Sequence, residues 1–109
     1  MRVKVLRNQD VKFLAAFIPK GHRHTRIYIN LGDEILILQQ AAVDALIRAY
    51  ALVALHPKRT GIGLRIRRLS KYERKEGFAE YQLLEVNIDE NKLINSLSKV
   101  YDKYVQGHD

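Results

Sequence analysis

The sequence predicts an α+β protein, and three features of its hydropathy pattern carry that prediction. Several short stretches alternate apolar and polar residues with the two-residue period of strands. An alanine- and leucine-rich block, "QQAAVDALIRAYALVAL", lacks that alternation and favours helix. A second helical period closes the chain in "NKLINSLSKVYDKYV". The order reads β-β-β-β-α-β-β-α: an antiparallel four-stranded meander, a central apolar helix, a β-hairpin and a C-terminal amphipathic helix.

Residues 2 to 7, "RVKVLR", alternate and read as the first strand. Residues 11 to 18, "VKFLAAFI", are apolar on both faces, as suits a central strand. Pro19, Lys20 and Gly21 then supply a turn. In "RHTRIYINL", Ile27, Ile29 and Leu31 fall on one face, and His24, Arg26, Tyr28 and Asn30 on the other. Gly32 and Asp33 mark a tight hairpin into "EILIL". The helical pattern runs from Gln39 to about Leu55, and Pro57 ends it. Its polar stripe is narrow, consisting of Gln40, Asp44 and Arg48 at four-residue spacing, with Asp44 placed to pair with Arg48.

A helix apolar around most of its girth must be covered on several sides. One 109-residue chain with one sheet can hardly provide that cover. A second subunit is therefore expected to supply it, in a homodimer or in a tetramer formed by pairing dimers.

"GIGLRIRRL" resumes alternation, with Ile62, Leu64 and Ile66 pointing one way and Gly63, Arg65 and Arg67 the other. The pair of glycines at 61 and 63 either relieves crowding or lets a ligand approach the backbone. After the polar, basic connection "SKYERKEG", "FAEYQLLEVNI" returns as a strand with Leu84, Val86 and Ile88 on one face. Asp89 and Glu90 open the last helix, where acidic groups suit the positive end of the dipole. Leu93, Leu97, Val100 and Tyr104 form its apolar seam, and Gly107 lies just past its end.

The chain is expected to form a single domain, residues 1–109. It holds no cysteine, which excludes disulfides and thiolate chemistry and fits a reducing cytoplasm. "MRVKVLRNQDVK" lacks the apolar core and small-residue cleavage site of a signal peptide. The longest apolar stretch, residues 41 to 55, carries Asp44 and Arg48 and is shorter than the roughly 20 residues of a membrane span. A cytoplasmic protein without membrane contact is expected.

The net charge of +7 is unevenly placed. Residues 1 to 30 carry seven Lys/Arg against one acid, and residues 57 to 76 carry eight against two. The remaining two segments are net acidic. Clustered positive charge of this kind points to a polyanionic partner, above all nucleic acid.

The chemistry of the clusters narrows the choice. His22 and His24 could share a face, but a zinc site needs three or four ligands and no cysteine set or H-E-x-x-H completes one. Lys20, Arg23 and Arg26 would also repel a cation. No nucleophile elbow, phosphate loop or dinucleotide fingerprint is present, so neither an enzyme nor a cofactor is expected. Proteins that hold single strands combine cations along the phosphates with rings that stack on unpaired bases. Two segments have that mixture: Lys20, His22, Arg23, His24, Arg26 and Tyr28 in the first; Lys58, Arg59, Arg65, Arg67, Arg68, Lys71, Tyr72, Arg74 and Lys75 in the second. Neither helix is basic along one face, which disfavours major-groove docking and suits single strands or RNA.

The apolar helix "AAVDALIRAYALVAL", the basic stretches "RHTRIYIN" and "GLRIRRLSKYERK", and the helix "NKLINSLSKVYDKYV" together resemble the ThermoDBP-related single-stranded-DNA-binding proteins of hyperthermophilic archaea. The likeness lies in layout and character over most of the chain. It implies a non-catalytic oligomer that holds single-stranded DNA without sequence preference on basic tracks lined by several subunits. Arg26, Tyr28, Arg65 and Arg67 would be the matching positions. RNA binding, including a ribosome-associated role, remains open at this point, because a 2′-hydroxyl contact leaves no trace in sequence. So does an interaction protein whose basic stripe meets an acidic protein partner.

Overall fold

Residues 2–74 and 79–104 are described by the computed structural model of the chain. They form an α+β fold of two antiparallel sheets, one of three strands and one of two, with two helices. In chain order the elements are β1 (Phe13–Phe17), β2 (Arg26–Asn30), β3 (Ile35–Gln39), α1 (Gln40–Ala54), β4 (Leu64–Arg68), β5 (Tyr81–Glu85) and α2 (Glu90–Tyr104). The chain divides into two compact units, Met1–Val43 and Asp44–Asp109, the boundary falling within α1. Among the described residues no helix is long and apolar enough to cross a membrane.

The first unit holds the sheet β1-β2-β3. Two glycines build its turns. Gly21, at φ +81°, lies in the turn closed by the His22 N–H donating to the Pro19 carbonyl at 2.9 Å. Gly32, at φ +91°, opens the β2–β3 hairpin in the left-handed conformation that glycine adopts at little cost. Asn30 Oδ1 accepts the Gly32 N–H at 2.8 Å and secures the entry to that turn.

The expected first strand, residues 2–7, does not form, so the sheet has three strands and not the four of the predicted meander. Alternation is only a local preference, and a strand also needs a hydrogen-bonded partner. This segment is held instead by side chains. Lys4 Nζ lies 3.0 Å from both Asp33 Oδ1 and Glu34 Oε1, and Arg7 grips Asp10 across a short 3₁₀ turn at Asn8–Asp10. The stretch read as a central strand, β1, is consequently an edge strand. Its Phe13, Leu14 and Phe17 are exposed.

Directly paired residues in an antiparallel sheet share a face. The register Leu14↔Ile29, Ala16↔Ile27, Ile29↔Leu36 and Ile27↔Leu38 makes one face aliphatic throughout. The other face carries Phe13, Ala15 and Phe17 beside Asn30, Tyr28 and Arg26, with Ile35, Ile37 and Gln39 on β3.

In the second unit, β4 and β5 pair from Leu64↔Glu85 to Arg68↔Tyr81. Leu64 and Ile66 share a face with Leu83, while Leu84 lies with Arg65. The apolar face read for β5 from Leu84 is therefore the one that bears Arg65 and Arg67, whereas Arg68 lies with Leu64 and Ile66. Arg48 of α1 does not pair with Asp44 as expected. Its Nη2 donates to the Leu83 carbonyl at 2.7 Å, a backbone acceptor on β5 that offers a charge-assisted bond.

Helix α2 begins where the acidic pair predicts. Asp89 Oδ1 accepts the Lys92 N–H at 3.0 Å, the N-cap bond. Glu90 reaches back to the Thr60 and Gly61 N–H groups and the Thr60 hydroxyl, tying the approach to β4 onto the start of α2. The glycines there serve packing: a Cβ on Gly61 would come within 3.2 Å of Ile94 on α2. Gly107 falls outside the described residues.

Candidate nucleic-acid interface

The sequence "SKYE" (70–73) builds the best-defined turn in the basic stretch. It matches the S-x-x-E pattern of a capping box, and the structure forms that box. Glu73 Oε1 accepts the Ser70 N–H at 3.1 Å, and Ser70 Oγ accepts the Glu73 N–H at 3.3 Å. Backbone bonds from Glu73 and Arg74 to the Ser70 carbonyl complete one helical turn. This signal is readable in the sequence, although composition alone describes the segment only as a basic connection.

The other oxygen of Glu73 receives Arg67 Nη1 at 2.9 Å, so the turn is pinned to β4. These partners hold the Glu73 carboxyl below its ordinary pKa, the Ser70 backbone N–H first among the causes, then the Ser70 hydroxyl and Arg67. The turn is thus tied to β4 by a side-chain ion pair. On it Tyr72 stands 96% exposed, so its ring is not spent on local packing. Lys71 and Arg74 flank that ring in sequence and have no ion pair among the described residues, and Arg65 on β4 has none either. A cleft of about 490 Å³ lies at the base of the turn, lined by Arg68, Ser70, Lys71 and Arg74 together with Leu69, Glu73 and Glu80.

Not every expected cation is available. Arg68 Nε meets Glu80 at 2.5 Å, and Arg59 Nη2 meets Glu85 at 2.6 Å. With Arg67 held by Glu73, three of the basic stripe already have carboxylate partners. Lys58 is exposed just beyond α1. Lys75 falls outside the described residues.

The first unit carries the other group. Lys20, His22, Arg23 and His24 are all exposed in the turn and loop before β2. His24 therefore does not share the strand face with Arg26 and Tyr28, since β2 begins only at Arg26. Arg26 and Tyr28 are half-buried on one face of β2, and Arg26 Nη1 donates to the His24 and Thr25 carbonyls at 3.1 and 3.3 Å. What residue-by-residue reading missed is the company Tyr28 keeps. Phe13 packs edge-on against it, with ring centroids 6.2 Å apart at 65°, and Phe17 lies directly across from Arg26. No cluster of three or more His, Asp or Glu side chains with metal-binding geometry occurs among the described residues.

Hydrogen bonding and ion pairing depress the carboxyls that organise these segments. Glu90 is lowered by the Thr60 N–H first, Asp10 by the Arg7 side chain and Asp33 by the Lys4 side chain. A group whose folded pKa is depressed contributes stability that is present above its unfolded value and is lost as pH falls through the folded one. Thermal stability should therefore hold down to about pH 5 and decline below about pH 4, where these groups protonate. Lys4 is raised by Glu34 and Asp33, so its contribution is complete below its ordinary value and fades only at higher pH. Melting curves from pH 7 to 2 check this, and Glu90→Gln should blunt the acid-side decline. An unchanged decline in that variant would remove Glu90 from the account.

Comparison with protein-family models, with curated proteins and with solved structures found no match for this chain.

Proposed function

We propose that the protein is a non-catalytic, sequence-independent single-strand-binding protein acting as an oligomer, as the ThermoDBP-related likeness implies. The observation that carries this reading is the capped turn at Ser70–Glu73, which carries an exposed tyrosine flanked in sequence by two cations with no carboxylate partner among the described residues. A ring left in water is free to meet a ligand, and unpaired bases present π-faces of every sequence. Lys71, Arg74 and Arg65 supply the phosphate contacts, which carry no base information. Arg67, Arg68 and Arg59 act mainly through their glutamate partners, positioning the turn and the β4–β5 hairpin.

The oligomer rests on α1. Leu46 and Ile47 are 58% and 57% exposed and Tyr50 is 68% exposed, whereas Ala45 is buried. The three share one stripe, since residues three or four apart on a helix lie on the same face. A second copy covering that stripe offsets the cost of leaving it wet and adds a second basic surface to the track. Gel-shift titration with labelled oligo-dT, duplex DNA and RNA tests the function. Tighter binding of oligo-dT than of duplex is expected. Preference for RNA would favour the RNA-binding reading, and binding of none would abandon nucleic acid for an acidic protein partner.

A further inference from the structure

We infer that the face of the first sheet bearing Phe13, Phe17 and Tyr28 is a second base-binding platform, which stacks unpaired nucleobases while Arg26 takes a phosphate. The inference rests on the single-strand reading above, but it assigns two phenylalanines which that reading does not use.

The two faces of this sheet differ in kind. One is aliphatic in every paired position, the composition of a surface that packs against protein. The other sets three aromatic rings and the exposed Ile35 and Ile37 among Arg26, Asn30 and Gln39, so flat hydrophobic faces stand beside hydrogen-bonding groups. Phe13 is 59% exposed and Phe17 is 41% exposed. They are four residues apart on a straight strand, which spaces them by about 13 Å. That leaves room for two or three bases, the number that aromatic sheet platforms stack. Edge-on packing against Phe13 braces Tyr28 and limits the entropy it would lose on stacking.

Charge favours a nucleic acid over a second copy as the occupant. The first unit, residues 1–43, holds seven Lys/Arg against three acids, and those acids are paired with Lys4 and Arg7. Arg26, directly across from Phe17, has backbone carbonyls and no described carboxylate as partners, so its charge is not neutralised. Bringing two copies together through this face would bring an unneutralised Arg26 from each copy into it, whereas a phosphate backbone would compensate that charge.

Anisotropy titrations of labelled oligo-dT and of an abasic strand of equal length separate the contributions. Phe13→Ala and Phe17→Ala should each weaken oligo-dT binding about 10- to 100-fold. Binding of the abasic strand should stay unchanged, and Phe13→Tyr should restore the oligo-dT affinity. Unchanged oligo-dT affinity in both alanine variants, or equal loss on both strands, overturns the platform while leaving the single-strand reading intact. If Phe13→Ala instead lowers the molecular mass and leaves affinity alone, the face belongs to a second copy and the inference fails. Wild-type protein that binds neither strand defeats the single-strand reading itself, and this inference with it.

Discussion

Light scattering is expected to return at least twice the 12.7 kDa chain mass, and the double variant Leu46→Asp, Ile47→Asp to return the monomer. Fully burying a large aliphatic side chain contributes about 1.5–3 kcal/mol. Leu46, Ile47 and Tyr50 stand together on α1, so covering them on both copies contributes several kcal/mol toward association. A charged pair in their place reverses that gain and adds a desolvation cost on both sides of the interface. The substituted positions are exposed within the chain, so circular dichroism should report an unchanged secondary structure. Because closed symmetry makes the interface self-complementary, each substitution acts twice in a dimer. A wild-type monomer would mean that α1 is tolerated bare, and the shared basic track would lose its basis.

The second large effect concerns the capped turn. Tyr72→Ala should cost about 1–3 kcal/mol of single-strand affinity, the range for removing one stacking ring. Since the ring is 96% exposed, its loss should not lower the melting temperature. Arg65→Ala and Arg74→Ala should weaken binding of all sequences alike and reduce the salt dependence, as loss of a phosphate contact does. Glu73→Ala should remove the stacking contribution of Tyr72, because it breaks the capping box that presents the ring, although it frees Arg67 as an added cation. Wild-type affinity in all four variants would place the ligand elsewhere.

Much of this architecture is legible in the sequence wherever local chemistry decides it. Pro19–Gly21 and Gly32–Asp33 announce their turns because two of those glycines adopt a positive φ. Asp89 caps α2 as a short acceptor before an amphipathic run should. The two-residue period locates the strands from β1 to β5. What fails is what depends on distant partners. Residues 2–7 alternate like a strand, but Lys4 is held by Asp33 and Glu34 and no ladder forms. The basic stripe reads as uniformly cationic, yet Glu73, Glu80 and Glu85 bind three of its arginines from positions that no periodicity links to them. Phe13 and Phe17 meet Tyr28 and Arg26 only because the Pro19 turn and the loop after it set the β1–β2 register. A shift of one residue would send both rings to the opposite face.

The most direct test of the central claim is a salt titration of oligo-dT binding by the wild-type protein. If cations on the capped turn and the first sheet neutralise phosphates, log affinity should fall linearly with log salt, by about 0.7 for each phosphate contacted on a single strand. Three to five such contacts give a slope of about −2 to −3.5, steep enough to separate from a stacking-only interaction. A flat dependence, or no binding at low salt, would contradict the account.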